Sequence, residues 1–460
     1  MAVSQPSPSP SMILTDLPEP AAEAVSRVVA LFDKHVGSGE GPDDFGAAER
    51  DALGAMKDVC CLVLRSVIES RDDGAGRMER DGQVWYRVEE TAKTVMTSLG
   101  AVEYRRPRYR RDGASSSIVP VDESLGLVNG CLTRTAAHLG VWLMGHCTSR
   151  EAEAFFGKMG TMTPSASTLQ RLVKAAHGSW ETIGATALDT IRAAEGIPAD
   201  AVTAAVSLDG IMVPLRAGED GRAEACWREA SCGTVSFHDN DGERLHTLYL
   251  GRMPESGKVS LKAQPRAEVA NIKACRPDIE IVALADGAPD NWSFLETLSP
   301  MAEVVDFWHA CEHLSATSDH AVARNWYEKY REILRHDADG VEKVIRALRH
   351  LLSKATSGKA EIERGLAFFR KNRHRMSHRT LRDRNLPIGS GVVGAANKTL
   401  ITQRMKRSGM RWRIPGGEAV LSFRALIKSG RFEHAWEELV STVTAHANDN
   451  DSANNMALAA

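Results

Sequence analysis

The sequence predicts an α/β protein: a mixed five-stranded sheet with helices, a mainly helical N-terminal region before it and more helices after it. Three observations predict this. Five β-like runs fall together between residues about 200 and 315. Apolar residues at helical spacing dominate on both sides of that block. With 43% hydrophobic and 25% charged residues, the 460-residue chain has the composition of a globular protein large enough for two to four domains.

Residues 1–20 are rich in Ser and Pro and read as a disordered tail, as does 445–460. From 21 to 195 the pattern is mainly helical. PEPAAEAVSRVVALFDKHV and AAERDALGAMKDVCCLVLRSVIESR are helix-like, and a short extended piece runs from Val102 to Arg111. Thr148 and Glu151 make a capping box for one helix. Thr163 and Pro164 read as the N-cap and first residue of the next. Two short helices across Gly160 suggest a helix-turn-helix at 148–176; a plain helical hairpin is the other reading.

Between 200 and 315 the β-like runs are AVTAAVSLDGIMVPL, EACWREASCGTVSFHD, LHTLYLGRM, IEIVALADG and AEVVDFWHA, with AQPRAEVANIKAC helical between the third and fourth. A meander followed by alternating helix and strand is the order of an RNase H-like layer. Helices return from 316 to 385, and 386–440 holds a Gly-rich turn and the helix candidate VVGAANKTLITQRMKRSG.

Asp209 lies inside the first run and Asp286 at the end of the fourth. Carboxylates are depleted in strands, so these need a reason. One is a shared hard cation such as Mg²⁺, which takes oxygen ligands and serves phosphoryl transfer. The other is turn chemistry, since each Asp precedes Gly. His309, Glu312 and His313 fit H-x-x-E-H, a zinc-hydrolase spacing. The plainer reading is a helix capped by Asp306.

Net charge is −3, but cations cluster between Arg370 and Arg413, where Asp383 is the only acid. A second cluster, Tyr104-Arg105-Arg106-Pro107-Arg108-Tyr109, interleaves aromatics. Such patches favour a polyanion, with a solvated charged face as the alternative. The eight cysteines form no C-x-x-C pair and sit in apolar stretches, as reduced thiols do. No apolar run is long enough to span a bilayer, and the N-terminus lacks a signal-peptide pattern. A cytoplasmic protein with no membrane partner is expected.

The strings SLDGIMVPL, ALADGAPDNWSFLETL, VVDFWHACEHL, PIGSGVV and KTLITQRMKRSGMRW together resemble the ISKra-type insertion-sequence transposases, relatives of the Mutator-like group. The resemblance runs from roughly Gly100 to Leu439. It implies an RNase H-like catalytic core with an Asp-Asp-Glu triad and a helical insertion, here 316–385. It implies Mg²⁺-dependent cleavage at element ends and strand transfer, with Mn²⁺ as a substitute ion. Asp209 and Asp286 match the first two acids and metal ligands. His309 matches the family's histidine, with Asp306 as an accessory residue. Arg404, Lys406, Arg407, Arg411 and Trp412 fall on the basic DNA-facing segment, with Arg105, Arg106 and Arg108 as further contacts. The implied partners are double-stranded DNA, both element terminal repeats and target, and other copies of the chain on that DNA. The implied place is the nucleoid.

Two departures stand out. The family string GSGVVEAA reads GSGVVGAA here, so Gly394 replaces the third acid. The paired cysteines that relatives carry after the basic strand are missing, so no structural zinc is expected. The first departure sets an impaired transposase against a catalytically inactive or repurposed DNA-binding derivative. A zinc hydrolase built on His309, Glu312 and His313 is the third reading.

Overall fold

The computed structural model describes residues 19–36, 45–114, 116–218, 224–318 and 325–441. They form two compact units, one of residues up to Ile183 together with those from Trp436, the other Gly184–Ala435. The two expected tails lie almost wholly outside the described residues.

The first unit opens with helices α1 (Glu19–His35) and α2 (Phe45–Glu69). An antiparallel sheet follows, of β1 (Arg77–Arg80), β2 (Gln83–Thr97), β3 (Gly100–Arg110) and β4 (Ser117–Ile118), in that order. This sheet is much larger than the short extended piece expected at 102–111. Its first turn is Asp81-Gly82, both at positive φ (53° and 67°). That is the two-residue hairpin turn whose backbone twist matches paired strands. The sequence carried this signal, but the middle of β2, Glu89-Glu90-Thr91-Ala92-Lys93-Thr94, is polar where apolar residues mark most strands.

In β3 burial alternates with one change of phase between Tyr104 and Pro107, and Val102 and Tyr104 are buried with Ile68, Val95 and Val121. The Tyr104 hydroxyl donates to Asp122 at 2.5 Å and that of Tyr109 to the Ala75 carbonyl at 2.8 Å. The interleaved aromatics therefore face the core and are not stacking surfaces. Helices α3 (Pro120–Leu125), α4 (Arg134–His146), α5 (Ser149–Met159) and α6 (Ala166–Glu195) complete this part of the chain. The Thr148–Glu151 capping box is present, and Gly160 ends α5 at φ 64°. The next helix starts later than expected: Ser165 Oγ accepts from the Thr168 amide at 3.2 Å. A serine hydroxyl caps well, and Pro164 stays outside the helix.

The second unit is built on a mixed five-stranded sheet. Its strands are β5 (Thr203–Pro214), β6 (Trp227–His238), β7 (Arg244–Arg252), β8 (Glu280–Ala285) and β9 (Ala302–Val305), ordered β7-β6-β5-β8-β9. β5, β6 and β7 pair antiparallel, while β8 runs parallel to both β5 and β9. Helix α7 (Val259–Cys275) and α8 (Pro289–Leu295) make the crossovers that parallel strands require. The fifth run stops at Val305 because Asp306 caps helix α9 (Phe307–Ser318), its Oδ1 accepting from the Trp308 amide at 2.6 Å.

Helices α10 (Trp326–His336), α11 (Gly340–Lys354), α12 (Lys359–Asn372) and α13 (His378–Asp383) follow, over the stretch expected to be helical. Next come α14 (Gly391–Ala396), a π-helix at Asn397–Thr402, α15 (Gln403–Met405) and α16 (Ile414–Lys428). One face of the sheet, with Val206, Leu208, Val235 and Ala283, packs against α7 and α9. The opposite face packs Val213, Ala230 and Cys232 against Val393, Ala396, Leu400 and Leu421.

Glu268 of α7 is 3% exposed and lies between two buried arginines. It accepts from Arg192 Nε at 3.0 Å and from Arg431 at 2.7 Å. Removing one member of a buried network leaves the others uncompensated. Glu268→Ala is expected to cost about 3–5 kcal/mol, read as a lower urea midpoint. Truncating Glu361, an exposed partner of Arg364, should change stability by about 1 kcal/mol or less.

Candidate functional site

The two aspartates meet because of strand register. Parallel pairing sets Ala205 beside Val282 and Ser207 beside Leu284. The same offset carries Asp209 to Asp286, one residue past the end of β8. Side chains two apart share a face, so both acids lie on the face of Ala205, Val282 and Leu284, a buried cluster.

Each carboxylate is held by amide donors. Asp209 Oδ1 accepts from the Gly210 amide at 2.7 Å, and Oδ2 from Asn397 Nδ2 at 2.5 Å. Asp286 Oδ1 accepts from the Ala288 amide at 3.0 Å and from Asn291 Nδ2 at 3.3 Å. Asn291 also reaches the Leu208 carbonyl at 3.4 Å, which ties α8 to β5 beside Asp209. Trp292 Nε1 donates to the Asp286 carbonyl at 2.6 Å and fixes the turn. Burial raises the Asp209 carboxyl above its ordinary value, and the nearby Asp286 charge raises it further, against the lowering effect of the Gly210 and Asn397 hydrogen bonds. Cys232, the partner of Asp209 on neighbouring strand β6, is buried, and burial pushes its thiol well up.

Asn291 and Asn397 were missed in the sequence. Both are more than nine-tenths buried, at 3% and 7% exposure. In both, Oδ1 is buried without a hydrogen-bond partner. Asn397 follows Gly394 by three positions, one helical turn, and that spacing was the available signal. Gly394 itself is exposed, and a Cβ there would meet nothing within 4 Å. Among the described residues no group of three or more His, Cys, Asp or Glu side chains is placed to hold a metal ion. The carboxylate pair with two orphaned amide oxygens nonetheless suits a hard, oxygen-seeking cation such as Mg²⁺.

Asp306 is 6% exposed and serves as a staple. Besides capping α9, its Oδ2 accepts from the amide of Ser390 at 2.9 Å and from the Ser390 hydroxyl. The turn leading into α14 is thereby fixed to the end of β9. His309 Nδ1 lies 3.2 Å from Glu312, and the His313 ring stacks on Phe368 with centroids 3.7 Å apart. The first contact is made within α9 and the second between α9 and α12.

The expected DNA-facing residues divide. Arg404 is 2% exposed, its guanidinium over the Trp412 ring at 5.2 Å, so it braces the interior. Trp412 bonds back to β5: its amide donates to the Pro214 carbonyl at 3.0 Å, and its carbonyl accepts from Arg216 at 2.9 Å. Arg407, Arg411 and Arg413 are exposed and Lys406 is half-buried. That segment touches β5 about 20 Å along the strand from Asp209. In the first unit, Arg106 pairs with Asp122, Arg108 with Glu89 and Arg105 with Glu90, Arg105 staying 72% exposed. A groove between α10 and α11 is lined by Trp326, Tyr330, Lys329, Arg346, His350 and Lys354.

No protein-family model matches the chain, and no curated protein matches it. No helix among the described residues is long and apolar enough to cross a membrane.

Because the folded Asp209 carboxyl has a raised pKa, its favourable contribution is present below the unfolded pKa and lost as pH rises through the folded value. In EDTA, Asp209→Asn should therefore gain stability relative to the parent as pH rises above the ordinary carboxylate range, about pH 4. Parallel pH profiles of the two urea midpoints would contradict this.

Proposed function

We propose that this chain is a DNA transposase by descent, with an RNase H-like core whose paired acids are Asp209 and Asp286. The observation that carries this reading is the β5–β8 register, which sets those two acids on one face of the sheet. The strand order, the helices at 316–385 and the motif resemblance support the same reading. Asp209 and Asp286 would hold Mg²⁺, which when bound polarises a scissile phosphate and activates water. The chain's own residues do the rest. Gly210, Ala288, Asn291 and Asn397 orient the carboxylates through their N–H groups. Lys406, Arg407 and Arg411 offer cations to the phosphate backbone, supplying the salt-dependent part of duplex affinity. Copies assembled on paired ends would bring two such sites to one target.

Gly394 favours a second reading in the same descent: a DNA-binding derivative that no longer cleaves. Position 394 lies inside α14, exposed, with open space where a side chain would begin. A glutamate there would extend along the helix face that Asn397 also occupies.

The test is cleavage of duplexes from the ends of the encoding element, with Mg²⁺ or Mn²⁺. Losing one ligand costs several kcal/mol of transition-state stabilisation, so Gly394→Glu should cleave roughly 10²–10⁴ faster than the unaltered chain. Both should bind the duplex, more weakly as salt rises. Equal, full cleavage by the unaltered chain would refute the impaired-site reading. Absence of duplex binding at low salt would refute descent-based DNA recognition altogether.

A further inference from the structure

The π-helix at Asn397–Thr402 is the least regular part of the second unit's covering layer. Single π turns are uncommon and need their freed carbonyls satisfied. Here Arg424, 4% exposed, donates through Nε to the carbonyls of Thr399 at 3.0 Å and Leu400 at 2.9 Å. Leu400 and Ile401 anchor the same turn in the apolar layer. The result is a rigid frame that holds one polar side chain, Asn397, against Asp209.

The amide is oriented by that contact. Nδ2 faces the carboxylate because only the nitrogen can donate, which leaves Oδ1 buried and unpartnered. Leaving a buried amide oxygen unpaired costs free energy that a structural asparagine would avoid. An exchange of the two amide ends needs only rotation about the last side-chain bond. It would present oxygen where the amide hydrogens now lie.

We infer that Asn397 supplies the third protein oxygen of a divalent-cation site with Asp209 and Asp286, taking over one helical turn later the role that Gly394 cannot fill. This rests on the carboxylate-pair reading above and deepens it. The site carries two formal negative charges rather than three. It therefore binds a divalent ion more weakly than an all-carboxylate triad while keeping an all-oxygen ligand set.

The test is Mn²⁺ binding to the full chain, read from the free Mn²⁺ signal in electron paramagnetic resonance, with no DNA and no turnover. Asn397→Ala should weaken binding by about 10-fold or more. Asn397→Asp, which keeps the shape and adds a charge, should tighten it. In a Gly394→Glu background the effect of Asn397→Ala should shrink, because the glutamate restores the missing ligand. Unchanged affinity in Asn397→Ala and Asn397→Asp, with binding abolished by Asp209→Asn, would overturn the role of Asn397 and leave the carboxylate pair standing. No Mn²⁺ binding in any variant would overturn both. Should Asn397→Ala fail to fold by far-ultraviolet circular dichroism, Asn397→Asp alone decides: tighter binding supports the role and unchanged binding refutes it.

Discussion

Everything proposed for the second unit depends on how β8 is registered against β5. A one-residue slip would send Asp286 to the opposite face of the sheet. The apolar residues fix the register: Val282 and Leu284 sit in one buried cluster with Ala205, while Ala283 and Ala285 face the other core. Two half-buried carboxylates, one on β5 and one just past the end of β8, repel each other and lose part of their hydration. The fold offsets this with four N–H donors, two from the backbone and two from asparagine side chains. That arrangement is costly as a purely structural device, since apolar residues at both positions would avoid the desolvation.

Three long-range ties hold the layer over the acids in place. Asp306 fastens the Ser390 turn, Arg424 fastens the π-helix, and Trp412 fastens the basic segment to the end of β5. Each joins chain segments far apart in sequence. Their shared consequence is that the positions of Gly394, Asn397 and the cations near Arg411 are set relative to one sheet. None of these ties uses the side chain at position 394, so the frame does not depend on which residue stands there.

Much of the second unit was legible in the sequence. The five strands were visible because each alternates or concentrates apolar residues between turn formers. Asp209 and Asp286 stood out as acids where strands disfavour them, but turn chemistry before Gly explained them equally until the register was known. The N-terminal sheet was not legible by the same rule: β2 carries Glu and Thr on both faces, and its pairing with β1 is set by turn chemistry at Asp81-Gly82 and not by hydrophobic period. Cationic runs were legible as composition but not as surface. Arg404 and Arg375 read like their neighbours, yet both are buried, Arg375 against Glu303 and the face of Trp292. The asparagines escaped notice because amides are common in turns and helix ends. Only coordinates reveal that their oxygens are buried and unpaired.

The most direct measurement is the anomalous difference density of Mn²⁺ diffused into crystals of the full chain. The account predicts a peak lying between the Asp209 and Asp286 carboxylates and in contact with both. A well-ordered site with those carboxylates resolved and no manganese between them, or manganese bound only elsewhere, would contradict it.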